Sequence, residues 1–147
     1  MLDETALRVL EEYVRDSRQS YREIARRLGI SSGTVASRAK ELEEKGIIEK
    51  YTVQLNHEKL GYELTAITEI IISEGMMLEV GEEISKIPGA LRVYNITGDA
   101  DILVVARFKT RSQLSDFTKK ITKMKYVVRT KTHVVLNTIK EDVSLLP

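Results

Sequence analysis

The sequence predicts an α+β protein, helical over about its first fifty residues and β-α-β-β-α-β after them. Three observations lead there. Apolar residues recur at helical spacing as far as Gly46. Four later runs, LTAITEIIIS, LRVYNIT, DILVVARF and YVVRTKTHVVL, are rich in β-branched residues. Between them lie two apolar stripes, Met77, Val80, Ile84, Ile87 and Leu114, Phe117, Ile121, Met124, with one shared spacing of i, i+3, i+7, i+10.

The chain has 147 residues, 42% hydrophobic and 31% charged, enough for one moderate core or two small ones in an ordinary soluble protein. The densest apolar run, Ile102 to Ala106, is far short of a membrane span, and the acidic start MLDETALRVLEE lacks an export pattern, so no membrane partner and a cytoplasmic location are expected. Cysteine is absent, which removes disulfides, thiol nucleophiles and cysteine-bearing metal sites. His57 and His133 alone place no metal site, and no cofactor is expected. Net charge is only +1, yet residues 18 to 40 hold Arg18, Arg22, Arg26, Arg27, Arg38 and Lys40 against Glu23 alone. Such a run has a plain reading as a solvated helix face.

In the first segment Leu2, Ala6, Val9, Leu10, Tyr13 and Val14 give an amphipathic helix that stops near Asp16-Ser17. Ser20 caps a second helix, and Glu23 three positions on completes a capping box. Gly29 supplies the left-handed residue after Leu28, Ser31 caps a third helix, and Ile30 with Val35 forms a hydrophobic staple. Two short helices joined this way describe a helix-turn-helix. At 100° per residue Val35, Ala39 and Leu42 point inward, while Gly33, Thr34, Ser37 and Lys40 lie on the opposite side, followed by Glu41 and Glu44.

That layout suits double-stranded DNA. The N-terminal part of the second helix of such a motif enters the major groove, where small hydroxyls and a glycine permit close approach and the helix end favours phosphate. The candidate contacts are Ser31, Ser32, Gly33, Thr34, Ser37 and Lys40, with Arg22, Arg26 and Arg27 on phosphates. Arg38 flanks the buried stripe, placed for a phosphate or for an internal carboxylate. Past Gly46, IIEKYTVQL alternates like a strand, a candidate wing on which Lys45, Lys50 and Tyr51 would lie near the backbone.

The expected organisation is a helix-turn-helix domain over 1–52, a linker over 53–61 and a second domain over 62–147. In the second domain the β-α-β-β-α-β order is the ferredoxin-like arrangement, a sheet with both helices on one face. Ile67, Ile71 and Val104 are expected on the other face, which would stay bare without a partner. A two-fold homodimer would cover it and present two recognition helices about 34 Å apart, one turn of DNA.

The segments LDETALRVL, REIARRLGISSGTVASRAKELEEKGIIEKYTV, LGY and VYNITGDADILV resemble the Lrp/AsnC family of transcription regulators across nearly the whole chain. The resemblance implies a C-terminal domain that dimerises, dimers that join into tetramers or octamers, and a small effector, usually an amino acid, bound where dimers meet. Carried onto this sequence, the effector residues are Tyr94, Thr97, Gly98, Asp99 and Asp101, with Thr130 and Thr132, and Lys119 and Lys123 near the rim. Carboxylates there would meet an ammonium, and hydroxyls and glycine amides a carboxylate. The alternative is an enzyme: some tetrapyrrole-precursor decarboxylases look like this family, and His133 with Arg92 or Arg129 would be the candidates.

Overall fold

The computed structural model describes residues 2–146; residues 1 and 147, the ends of the first and last expected domains, lie outside the described residues. The chain forms two compact units, one of residues 2–54 with 141–146, the other of residues 55–140.

The first unit is three helices, α1 (Glu4–Arg15), α2 (Tyr21–Leu28) and α3 (Ser32–Glu44). Each starts on a side chain that accepts an otherwise orphaned amide. Asp3 Oδ1 accepts from Ala6 N at 2.7 Å. Ser20 and Glu23 form the reciprocal capping box, Ser20 N donating to Glu23 Oε2 at 2.7 Å. Ser31 Oγ accepts from Thr34 N at 3.0 Å. Gly29, at φ +69°, turns the chain from α2 to α3. Val9, Ile24, Val35, Ala39 and Leu42 are fully buried, and Leu28, Ile30 and Ile48 pack around them. Leu146, from the far end of the chain, packs on the same cluster. Residues 47–56 form no strand. Their alternation has no neighbouring strand to bond with, and a lone strand is not stable. Instead Tyr51 donates to Glu43 Oε1 at 2.8 Å and meets the Tyr13 ring edge-on at 5.6 Å.

The second unit runs β1 (Leu64–Ile72), α4 (Met77–Ser85), β2 (Ala90–Asn95), β3 (Ile102–Phe108), α5 (Arg111–Thr122) and β4 (Val127–Val134). The strands are antiparallel in the order β2-β3-β1-β4. Residues 56–61 make a hydrogen-bonded turn before β1, Tyr62 N donating to His57 O at 2.9 Å. Ala66, Ile70 and Ile72 of β1, with Ile102, Val104, Ala106 and Phe108 of β3, pack against Val80, Ile84, Phe117 and Ile121 of the two helices. Ile87 and Met124 lie just past the ends of α4 and α5 yet still reach this core. Thr68, buried among them, bonds its hydroxyl to that of Thr132 at 3.0 Å, as a buried polar group must.

One expectation about the sheet is corrected. Val104 is fully buried beneath the helices, not on the bare face, because it pairs with inward-facing Thr68. The opposite face carries the alternate residues Ile67, Glu69 and Ile71 of β1 and Leu103, Val105 and Arg107 of β3. His133 Nε2 lies 3.3 Å from Glu69 Oε1 on that face.

Candidate nucleic-acid interface and effector residues

At the tip of α3, Ser31, Ser32, Gly33 and Ser37 are exposed and Thr34 is half-buried. A Cβ on Gly33 would meet only Ser31 Oγ, at 3.8 Å. The fold itself leaves room there for a side chain, so the glycine keeps the tip bare rather than relieving a clash. No carboxylate precedes Glu41 on this helix, so the partial positive charge at its N-terminus is undiminished. The Ser31 and Thr34 hydroxyls bond each other at 2.8 Å, which holds both in place at the tip.

The cations sort into bound and available. Arg38 pairs with Asp3 and Glu41, each at 2.7 Å, so of its two possible partners the internal carboxylate is the one present. Asp3, which the sequence pattern did not single out, thus caps α1 and ties it to α3. Its signal was an aspartate directly before the first periodic apolar residues. Lys45 and Arg38 bonds hold the Glu41 carboxyl below its ordinary range. Arg18 grips Asp16 at 2.9 Å and lowers its pKa to about 2. Arg27 lies 3.5 Å from Glu12, a buried carboxylate that also pairs with Arg15 at 2.9 Å. Nothing in the local pattern marked Glu12, since its partners come from two helices. Lys40 lies 3.5 Å from Glu44 and is exposed. Arg22 and Arg26 are exposed and have no ion-pair partner among the described residues. The segment that reads as +5 in sequence therefore presents chiefly Arg22, Arg26 and Lys40 to a polyanion.

The effector candidates are dispersed within one protomer. Thr97, Gly98 and Asp99 are exposed on the loop between β2 and β3. Asp101 is built into the sheet: its Oδ2 accepts from Ile72 N at 2.7 Å and its own N donates to Ile70 O at 2.9 Å. Thr132 is bonded to Thr68, and Thr130 pairs with inward-facing Ile70, so both lie on the helix side of β4. Tyr94 pairs with Leu103 and faces the other way, on β2. β2 and β4 are the two outer strands, three spacings or roughly 14 Å apart. Lys119 and Lys123 are exposed on α5. The decarboxylase candidates share the bare face, but Arg92 and Arg129 are likewise on opposite outer strands. Among the described residues no group of three or more His, Asp or Glu is placed to hold a metal, and no helix is long and apolar enough to cross a membrane.

Comparison with known proteins agrees with both units. Residues 2–49 match the winged helix-turn-helix DNA-binding family, and residues 65–145 match the Lrp/AsnC ligand binding domain. An uncharacterized HTH-type transcriptional regulator of Pyrococcus abyssi is 42% identical over 147 residues, covering 100% of both chains. The transcriptional regulator LrpA of Pyrococcus horikoshii is 36% identical over 141 residues, 95% of this chain and 100% of its own. A Neisseria meningitidis transcriptional regulator, crystallised with L-methionine, superposes with a TM-score of 0.90 at 26% identity over 99% of this chain and 96% of its own. The feast or famine regulatory protein of M. tuberculosis, solved with L-methionine, gives a TM-score of 0.90 at 26% identity over 100% of both chains. With relatives of this kind along its whole length the decarboxylase reading is set aside. The chain belongs to the Lrp/AsnC family, and it is a DNA-binding transcriptional regulator with a winged helix-turn-helix followed by the family's ligand-binding domain.

Proposed function

We propose that the tip of α3 reads the DNA major groove through Ser31, Ser32, Gly33, Thr34 and Ser37, while Arg22, Arg26 and Lys40 fix the register on phosphates and Arg27, paired with Glu12, stays with the helix core. Arg38 contributes by holding α3 on α1. The observation that carries this is the tip itself: three inward residues, Val35, Ala39 and Leu42, fully buried, and behind them a bare hydroxyl surface without a carboxylate. The protein acts in the cytoplasm as a homodimer joined through the bare sheet face, and dimers join into tetramers or octamers. An amino acid, the class bound by two solved relatives, is the effector. It shifts assembly by binding one arrangement better than another.

Thr97, Gly98 and Asp99 supply the exposed effector groups with half-buried Thr130 beside them, and the dispersal of the candidates supports a site completed by a second copy. Asp101 and Thr132 hold the walls and Tyr94 serves from another protomer. The test has two arms. Purified protein should prefer duplex from upstream of its own gene over random duplex, with an affinity that falls steeply with salt. A thermal-shift screen of amino acids should yield at least one that raises the melting temperature by mass action. Equal binding to both duplexes rejects the first arm, and a flat screen rejects the second.

A further inference from the structure

The two helices over the sheet carry opposite charge in one pattern. From Glu74 to Glu83 there are four carboxylates and no cation, whereas from Arg111 to Lys125 there are five cations and one carboxylate. On α4 the charged positions are Glu79, Glu82, Glu83 and the capping Lys86; on α5, apart from Arg111 at its start on another side, they are Asp116, Lys119, Lys120 and the capping Lys123. Both sets follow i, i+3, i+4, i+7, which places each on one side of its helix. All eight side chains are exposed. Among the described residues no ion pair joins the two stripes, and none neutralises any member of either.

The signs have an order. Along α4 they run acidic, acidic, acidic, basic; along α5 acidic, basic, basic, basic. Laid parallel, the stripes would oppose Glu79 to Asp116 and Lys86 to Lys123, two like pairs. Laid antiparallel, Glu79 meets Lys123, Glu82 meets Lys120, Glu83 meets Lys119 and Lys86 meets Asp116, and every pair is opposite. The topology provides that direction twice over. β1 and β3 are antiparallel, α4 follows β1 and α5 follows β3, so the two helices run oppositely over one face of the sheet. A two-fold axis lying between them would set α4 of each copy antiparallel on α5 of the other. A depression of about 330 Å³ opens beside α5, between Asp116 and Lys120 of its stripe and Pro88 in the turn after α4, so the surface there is concave rather than flat.

We propose that this helix layer is a self-association surface distinct from the bare sheet face, on which a second copy docks about a two-fold axis with α4 against α5 in both directions. This deepens the assembly part of the proposed function. It rests on that reading only for the size of the final particle, and DNA does not enter it. Single exposed ion pairs contribute little, so the contact depends on the whole set and is screened by salt.

The test measures particle mass by sedimentation for the full chain and three variants: Glu82→Lys with Glu83→Lys, Lys119→Glu with Lys120→Glu, and all four together. Circular dichroism and melting confirm that each is folded. The wild type should lose one twofold step of mass between low salt and about 1 M. Each one-sided variant should weaken that step at least about tenfold at low salt, since every affected pair becomes repulsive and occurs twice. The fourfold variant should regain it. Masses indifferent to the one-sided changes overturn the proposal, as does a folded fourfold variant that stays dissociated. A change in melting without a change in mass also overturns it, by placing the pairing inside one protomer. A wild type that stays monomeric rejects both self-association surfaces, whereas a dimer indifferent to every variant rejects only this one.

Discussion

The α3 tip and the effector residues are two sites made in different ways. Every candidate for DNA contact lies within nineteen residues, Arg22 to Lys40, and three side-chain caps and one glycine fix their directions. The effector candidates come from a loop and two strands at opposite edges of a sheet, and they point to both of its faces. A site built from consecutive turns is complete in one chain. One spread over a sheet is, on the proposed reading, completed by a second copy.

The comparison breaks most readily at the helix core. Leu42→Ala removes a fully buried side chain and should cost about 2–5 kcal/mol, read in the denaturation of the first unit. If each unit melts by itself, the second transition should stay where it was. Asp101→Ala sharpens the other side. Its carboxylate holds the Ile72 amide, so stability should fall by about 1–3 kcal/mol with no effector present. A variant of unchanged melting temperature that had lost only the effector response would return Asp101 to the ligand.

Gly33→Leu should separate folding from reading. With open space at that Cβ and a better helix former in place, stability should rise by about 0.5–1 kcal/mol. Affinity for specific DNA should drop about tenfold or more, the scale of one spoiled base pairing with the protein. Arg22→Gln and Arg26→Gln should each weaken binding to all sequences alike and flatten the dependence of log K on log salt by about 0.9 for each phosphate no longer neutralised. The smallest effect is in alkali. Burial raises the Tyr13 pKa from 10.0 to about 12, so its contribution is present below pH 10 and is lost as pH rises through about 12. Tyr13→Phe should remove that loss from the pH profile of the first unit's stability.

The unequal legibility of the two sites has a physical origin. Ser20, Glu23, Gly29 and Ser31 act on amides within a few residues of themselves, so their roles follow from spacing alone. The buried stripes of α4 and α5 were readable for the same reason. Val104 was misplaced because strand residues have only two directions, and the choice between them is made by a partner strand 36 residues away, at Thr68. The structural bond of Asp101 is not legible in the sequence because the amide it holds, on Ile72, belongs to another strand. The strand expected in IIEKYTVQL has the right period but pairs with no strand among the described residues. Charge was legible as a sum and not as an availability: Arg18, Arg27 and Arg38 are engaged by Asp16, Glu12, Asp3 and Glu41, and only coordinates reveal such pairings.

The packing of Leu146 on the first unit's core makes that core discontinuous in sequence. Residues 2–54 bring the three helices and most of the cluster, and the leucine that completes it follows the whole of the second unit. A fragment cut after Gln54 would keep every cap and the buried stripe of α3, yet it should melt below the same helices within the full chain.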